Sequence, residues 1–295
     1  MTRNPRALPD ERSVPSQPSP LLPGTPQRGP SRGRSDLTFL EMGAVTTLFA
    51  YTGFLLILLG ANAAYLDPAN FIEIFRSEDI LFALRLSLTT ATIASLLSLA
   101  VAIPVAYALS RARVPWRPLL DALVDVPIVL PPLVMGVSLL VFFQTPLGRA
   151  IEATGARFVY TAAGIVLAQF LVVSPYAVRT VKASLDAIDP RIENVARTLG
   201  CSPFQVFWRV TLPMIRSGIV AGAVITWSQA MGLYGPMMVF AGTTRRRTEV
   251  LATSVYLELS IGRIQMALAI SLLMVMVALI ALAVFKRWAG PGRWL

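Results

Sequence analysis

The chain reads as an all-α integral membrane protein. Three observations lead there. Of its 295 residues, 55% are hydrophobic and 14% are charged, which leaves a soluble domain too little polar surface. Six runs are long and apolar enough to cross a hydrocarbon core about 30 Å thick as helices of roughly 20 residues. The excess of Lys and Arg (26 against 16 acids) is spread over loops and tails and forms no patch on a soluble domain. That pattern belongs to membrane topology and argues against nucleic-acid binding.

Residues 1–36 hold eight prolines (Pro5, Pro9, Pro15, Pro18, Pro20, Pro23, Pro26 and Pro30) among Ser, Gly and Arg. Proline lacks a backbone donor and blocks helix, and little here is apolar, so a disordered cytoplasmic tail is expected. The tail has no long apolar run of its own and does not read as a secretory signal. The predicted spans lie at about 37–66, 80–110, 119–143, 160–178, 218–241 and 266–285. Short helices are expected over 70–79 and 246–258. A membrane domain thus covers 37–288, and 289–295 is a short tail, too brief to fold separately.

Orientation follows from the cations. With the N-terminus inside, the inner side carries six Lys or Arg in the tail, three in 111–117, six in 179–216 and three at the C-terminal end. The outer side carries seven: Arg76, Arg149, Arg157, Arg245, Arg246, Arg247 and Arg263. The bias, still twelve against seven without the tail, predicts both termini in the cytoplasm. Arg85 lies near the outer end of the second span, where its stem can snorkel to the interface. The Arg245–Arg247 run is expected to be a solvated loop.

Three spans carry breaks. The third holds Pro127, Pro131, Pro132 and Gly136, the fourth ends on Ser174-Pro175-Tyr176, and the fifth contains Gly232-Leu233-Tyr234-Gly235-Pro236. Irregular backbone at membrane depth survives only where protein buries it or a wet cavity faces it. Three interrupted helices suggest a translocation path.

Several chemistries are excluded. There is no His, and Cys201 is the lone Cys, so no disulfide framework, zinc site or His-dependent triad can form. No catalytic residue and no metal ligand set is predicted. No GxxxxGK[ST] occurs, so this chain does not bind ATP by that route. No acid sits deep in a span, where a proton- or sodium-driven carrier would keep one. Energy must come from outside the chain.

The segment 193–213, ENVARTLGCSPFQVFWRVTLP, is polar and helix-forming between apolar spans. Asp189-Pro190 is a helix start, with Asp as cap and Pro in the first turn. Ile192, Val195, Ala196 and Leu199 recur at helical spacing, and Gly200 closes the helix in a left-handed conformation. Ser202-Pro203 opens a second short helix that places Phe204, Phe207 and Trp208 on one face. Thr211-Leu212-Pro213 is expected to turn the chain back to the bilayer. A short helix with an exposed apolar stripe suits a groove in another protein.

This segment resembles the coupling loop of ABC-importer permeases, whose pattern is E-A-A, three residues, G, then I-x-L-P. Val195-Ala196, Gly200, Val210, Leu212 and Pro213 match. Asn194 stands where the motif's first acid often stands, with Glu193 one position earlier. Residues 103–140 are similar to the second and third helices of molybdate/tungstate and sulfate permeases. Residues 232–242 (GLYGPMMVFAG) resemble their G-E-F-G-x-x-x-x-F-A-G stretch, with Leu233 in place of the acid, and 248–259 also fits the group.

The resemblance implies six transmembrane helices of the type I ABC-importer permease fold, with cytoplasmic coupling helices in the loop 189–214. It implies a multi-pass protein of a bacterial or archaeal cytoplasmic (inner) membrane and an oxyanion substrate, most readily molybdate or tungstate, with sulfate or another small solute as the alternative. The implied partners are a cytoplasmic ABC ATPase dimer, an extracytoplasmic solute-binding protein and a second permease copy. No cofactor is expected on this chain, because ATP and Mg belong to the ATPase. Glu193, Asn194, Ala196, Arg197 and Gly200 are the coupling residues it suggests. Helix interruption and resemblance together mark Pro131, Pro132, Gly136, Ser174, Gly232, Tyr234 and Gly235 as pathway or gate residues. A passive channel or scaffold would need no coupling segment, and a membrane enzyme would need a nucleophile and base that the spans lack.

Overall fold

The computed structural model describes residues 33–289, and among these there is no β-strand. The expected disordered tail and the short C-terminal tail lie outside the described residues, apart from 33–36, which belong to the first helix, and Ala289, which ends the last. Residues 60–289 form the packed body, and 33–59 form a unit of their own.

Helix α1 spans Gly33–Tyr65, and its stretch Glu41–Tyr65 is long and apolar enough to cross a membrane. Asp67 caps α2 (Pro68–Arg76) by accepting from the Ala69 amide at 2.9 Å, with Pro68 in the first turn. Ser77 then caps α3, Glu78–Arg111, a span that keeps Pro104 inside it. The third expected span is not one helix. It is α4 (Arg117–Val129) and α5 (Pro132–Gln144), bent by 108°. Proline forces the residue before it out of helical conformation. Leu130 and Pro131 accordingly sit at ψ 138° and 131°, so Pro131-Pro132 makes the break, while Pro127 stays inside α4.

A short α6 (Pro146–Ala153) leads to α7, Ala162–Asp186. Here the structure overturns the expected end at 178 and the expected break at Ser174-Pro175. Pro175 lies within a continuous helix. The final turns stay helical because their charges are paired: Arg179 with Asp121 and Asp125, and Lys182 with Asp186 at 3.3 Å one turn on. These residues were expected in a loop.

Next come α8 (Pro190–Thr198), α9 (Pro203–Val206), a π-helical turn over Phe207–Thr211, α10 (Leu212–Met214) and α11 (Arg216–Gly232). The stretches Pro203–Met214 and Arg216–Gly232 meet at 65°. Thr211-Leu212-Pro213 therefore does not itself turn the chain, which bends at Ile215. The fifth expected span also stops short. Helix α11 ends at Gly232, and α12 (Gly235–Phe240) follows after an extended Leu233. After it, α13 (Leu251–Ser260) and α14 (Ile264–Ala289) complete the described residues. By length and composition the described residues hold four helices able to cross a membrane, and up to six crossings with each bent pair taken as one.

The central pair is α3 against α7, with α11 packed on both. Its seam uses fully buried small residues, Ala102 and Ala106 of α3 clustered with Ala177 of α7. Small side chains let helix backbones approach in an apolar solvent that supplies no hydrophobic drive. Polar bonds fix the register. Ser95 and Thr226 hydroxyls lie 2.7 Å apart, and Gln169 Nε2 donates to the Ala230 carbonyl at 3.0 Å.

Candidate coupling surface and broken-helix site

Helix α8 is built by its caps. Asp189 accepts from the Arg191 amide at 2.9 Å. At the far end Gly200, at φ +90°, closes the helix as expected. The Gly200 amide donates to the Arg197 carbonyl (3.0 Å) and the Cys201 amide to that of Ala196 (3.1 Å). That pair of bonds is a Schellman closure, for which the left-handed glycine is required. Directly after it, Ser202 and Gln205 form a reciprocal capping box that starts α9.

The hairpin shows an apolar face outward. Ile192, Val195 and Leu199 are exposed, Leu199 by 79%. Phe204 and Trp208 are exposed too, with ring centroids 6.0 Å apart. Phe207, expected on the same face, turns inward instead and packs edge-on against Tyr107 of α3 at 5.1 Å. Of the five coupling candidates, Asn194, Arg197 and Gly200 are exposed and Ala196 is half-buried. Glu193 differs. It is 3% exposed and turned into the body, where Arg111 donates to it at 3.0 Å and Thr211 at 3.2 Å. It is not on the outward face that its neighbours share.

The two breaks meet. Helix α12 packs along α5, and Gly136 lies directly against Pro236: a Cβ on Gly136 would stand 2.7 Å from Pro236 Cα. Gly235 faces Leu133 with ordinary clearance, its virtual Cβ 3.6 Å from the Leu133 amide nitrogen. Pro131 and Pro132 are exposed at the start of α5, as is Gly232 at the end of α11. Tyr234 is half exposed and stacks on Tyr256, 6.3 Å away. Ser174 is half-buried in unbroken α7, so the feature that recommended it is missing.

At the other end of the bundle, the Arg245–Arg247 segment is not simply solvated. Arg246 pairs with Glu78 and with Asp79 (2.6 Å), and Arg245 pairs with Glu258 (2.6 Å). These pairs pin the loop after α12 to the start of α3 and the last turn of α13. Glu249 is buried beside them, accepting from Ser254 at 2.8 Å. Burial pushes its carboxyl above the ordinary carboxylate range, against the Ser254 bond and the charge of Arg245. Sequence reasoning missed Glu249, Glu258 and Arg111. Only the folded chain shows which partners each of them meets.

The family model for the inner membrane component of binding-protein-dependent transport systems matches residues 98–290. The chain belongs to this family. The match takes in α7, the α8–α9 hairpin and both halves of the α11–α12 break. Related permeases align over a comparable length. A molybdenum transport system permease protein of Mycobacterium bovis is 35% identical over 232 residues, 78% of this chain and 88% of its own. A molybdate/tungstate permease of Thermococcus kodakarensis is 32% identical over 70% of this chain and 80% of its own. A sulfate permease of Escherichia coli is 31% identical over 66% and 72%. Among solved structures, a bacterial alginate ABC transporter in complex with its pentasaccharide-bound periplasmic protein superposes with TM-score 0.68. It is 19% identical and covers 86% of this chain and 94% of its own. The MetNI methionine transporter superposes with TM-score 0.58 at 19% identity, over 72% and 97%. The permease thus has the all-helical ABC-importer fold, and its multi-pass body is a transport subunit.

Proposed function

We propose that this permease carries an oxyanion, molybdate or tungstate, into the cell through an ATP-driven importer. The observation that carries the substrate is the 35% identity to a molybdenum permease across 88% of that protein's length. The 31% identity to a sulfate permease supports sulfate as the second reading.

In this reading the α8–α9 hairpin faces the cytoplasm and seats in an ATPase subunit. Its outward apolar stripe and the exposed Asn194, Arg197 and Gly200 are the docking surface. Both termini are cytoplasmic, as the distribution of Lys and Arg supports. The Arg245–Glu258 and Arg246–Asp79 pairs then lie at the outer end, where a solute-binding protein delivers substrate. A second copy of the chain completes the pathway. ATP and Mg sit on the ATPase, and this chain performs no catalysis. The solute passes beside the joined breaks of α5 and α12, the pathway or gate. Helix starts at such breaks offer backbone amides to an anion without holding a fixed charge in the membrane.

The test is elemental. The gene is deleted and restored, and cell-associated molybdenum, tungsten and labelled sulfate are measured at low external supply. Recovery of molybdenum or tungsten alone is expected. Recovery of sulfate alone would move the permease to the second reading, and no change in any of them would remove the oxyanion assignment.

A further inference from the structure

Arg111 is the last residue of α3, and its side chain is 11% exposed. Its guanidinium holds three other parts of the chain at once. Nε donates to Glu193 of α8 at 3.0 Å. Nη2 donates to the carbonyls of Leu185, in the last turn of α7 (2.8 Å), and Ile188, in the link to α8 (2.9 Å). Glu193 Oε1 also accepts from Thr211 of the π-helical turn at 3.2 Å. A planar fork of fixed N–H directions makes such a junction; a lysine, a point charge on a flexible stem, cannot reproduce it. Removing one member of a buried charge pair leaves the other unpaired, so the junction holds or fails as a unit.

The consequence is mechanical. Hairpin α8–α9 projects from the body and carries the exposed stripe. A loosely attached hairpin would absorb a push in its own loops. Tied by Arg111 to the ends of α3 and α7, it moves only with the central helix pair. We infer that Arg111 is a positioning residue that locks the α8–α9 hairpin to α3 and α7, so that displacement of the hairpin reaches the transport pathway. This rests on the reading of α8 as the ATPase-docking helix. Glu193 is then the internal anchor of that helix and not one of its contacts with the ATPase.

The test uses the full transporter, with its ATPase and binding protein, in lipid nanodiscs. Arg111→Gln is expected to co-purify with the ATPase and to keep its KM for ATP, while stimulation of ATP hydrolysis by the loaded binding protein falls about tenfold, within the usual range of coupling between sites. Arg111→Lys is expected to restore little of it. Stimulation at the parental level in Arg111→Gln would overturn the inference. In case that variant does not assemble, spin labels at Thr198→Cys and Ala112→Cys, with Cys201→Ser, read the distance from α8 to the end of α3 in the otherwise unaltered chain. The same distance in nucleotide-free and ATP-loaded states is expected, and a distance that changes between them would overturn the lock. Leu199→Asp separates the two levels. Unchanged ATPase association there would overturn the docking reading and this inference with it. Lost association there, beside parental stimulation in Arg111→Gln, would overturn the inference alone.

Discussion

Gly136 of α5 and Pro236 of α12 meet backbone to backbone. A Cβ on Gly136 would lie 2.7 Å from Pro236 Cα and 2.8 Å from its carbonyl oxygen. Backbone atoms cannot step aside as a side-chain end can, so the two half-helices would have to part. Gly136→Ala is therefore expected to destabilise the permease by about 1–3 kcal/mol, the range for forced overpacking, and to depress uptake. Gly235→Ala, with its nearest contact at 3.6 Å, is expected to leave both near parental values. Melting temperature in detergent and uptake in cells check the contrast. Equal behaviour of the two variants would remove the Gly136–Pro236 contact as the tight point of the site.

Gly200 poses the opposite case. No atom stands within 4 Å of a Cβ there, but φ is +90°. Strain, not crowding, is what a side chain meets. Gly200→Val is expected to cost roughly 1–3 kcal/mol at the hairpin and to lower binding-protein-stimulated ATPase activity while the permease still inserts. Gly200→Asn is expected to lose less, because Asn tolerates the left-handed region better.

Phe204 is 72% exposed beside Trp208 on the hairpin. Its truncation removes little from the fold. Phe204→Ala is expected to leave the melting temperature unchanged but to weaken association with the ATPase by about 2 kcal/mol, the scale of an aromatic anchor at an interface. Titration of the purified subunits measures it directly. Unchanged affinity would place the docking face on α8 and not on α9.

Glu249 predicts a pH dependence. Its carboxyl is held above the ordinary range by burial, so the folded protein keeps a proton that the unfolded chain has already released. Between those two points the folded state binds more protons, and its stability falls as pH rises. Glu249→Gln keeps the bond partner of Ser254 and carries no charge. It is expected to be at least as stable as the parent near neutral pH and to show a flatter stability profile from the carboxylate range upward. Parallel profiles for the two proteins would assign the dependence to other groups.

Much of this was legible because it is local chemistry. Asp189-Pro190, Gly200 and Ser202 announce the caps of α8 and α9, and each is found at its cap. Pro131-Pro132 announces the break between α4 and α5. The same rule misled at Pro175, because a proline inside a span survives when packing holds the helix on both sides of it, as α3 and α11 do for α7. Charge misled at 179–186, where residues that read as loop are helix, paired with acids on α4 and one turn on along α7.

The sequence by itself determined the membrane class, the break at Pro131-Pro132, the break over 232–236 and the existence of a capped hairpin between them. Periodicity, proline and cap residues act within a few positions of one another, so they are read without knowing what packs where. Only the tertiary structure decided which way the hairpin faces. On α8, Ile192, Val195 and Leu199 point out and Glu193 points in, the reverse of an ordinary surface helix. The reason is Arg111, 82 residues away in the chain. A buried charge is tolerated only beside its partner, and no local pattern in α8 names that partner.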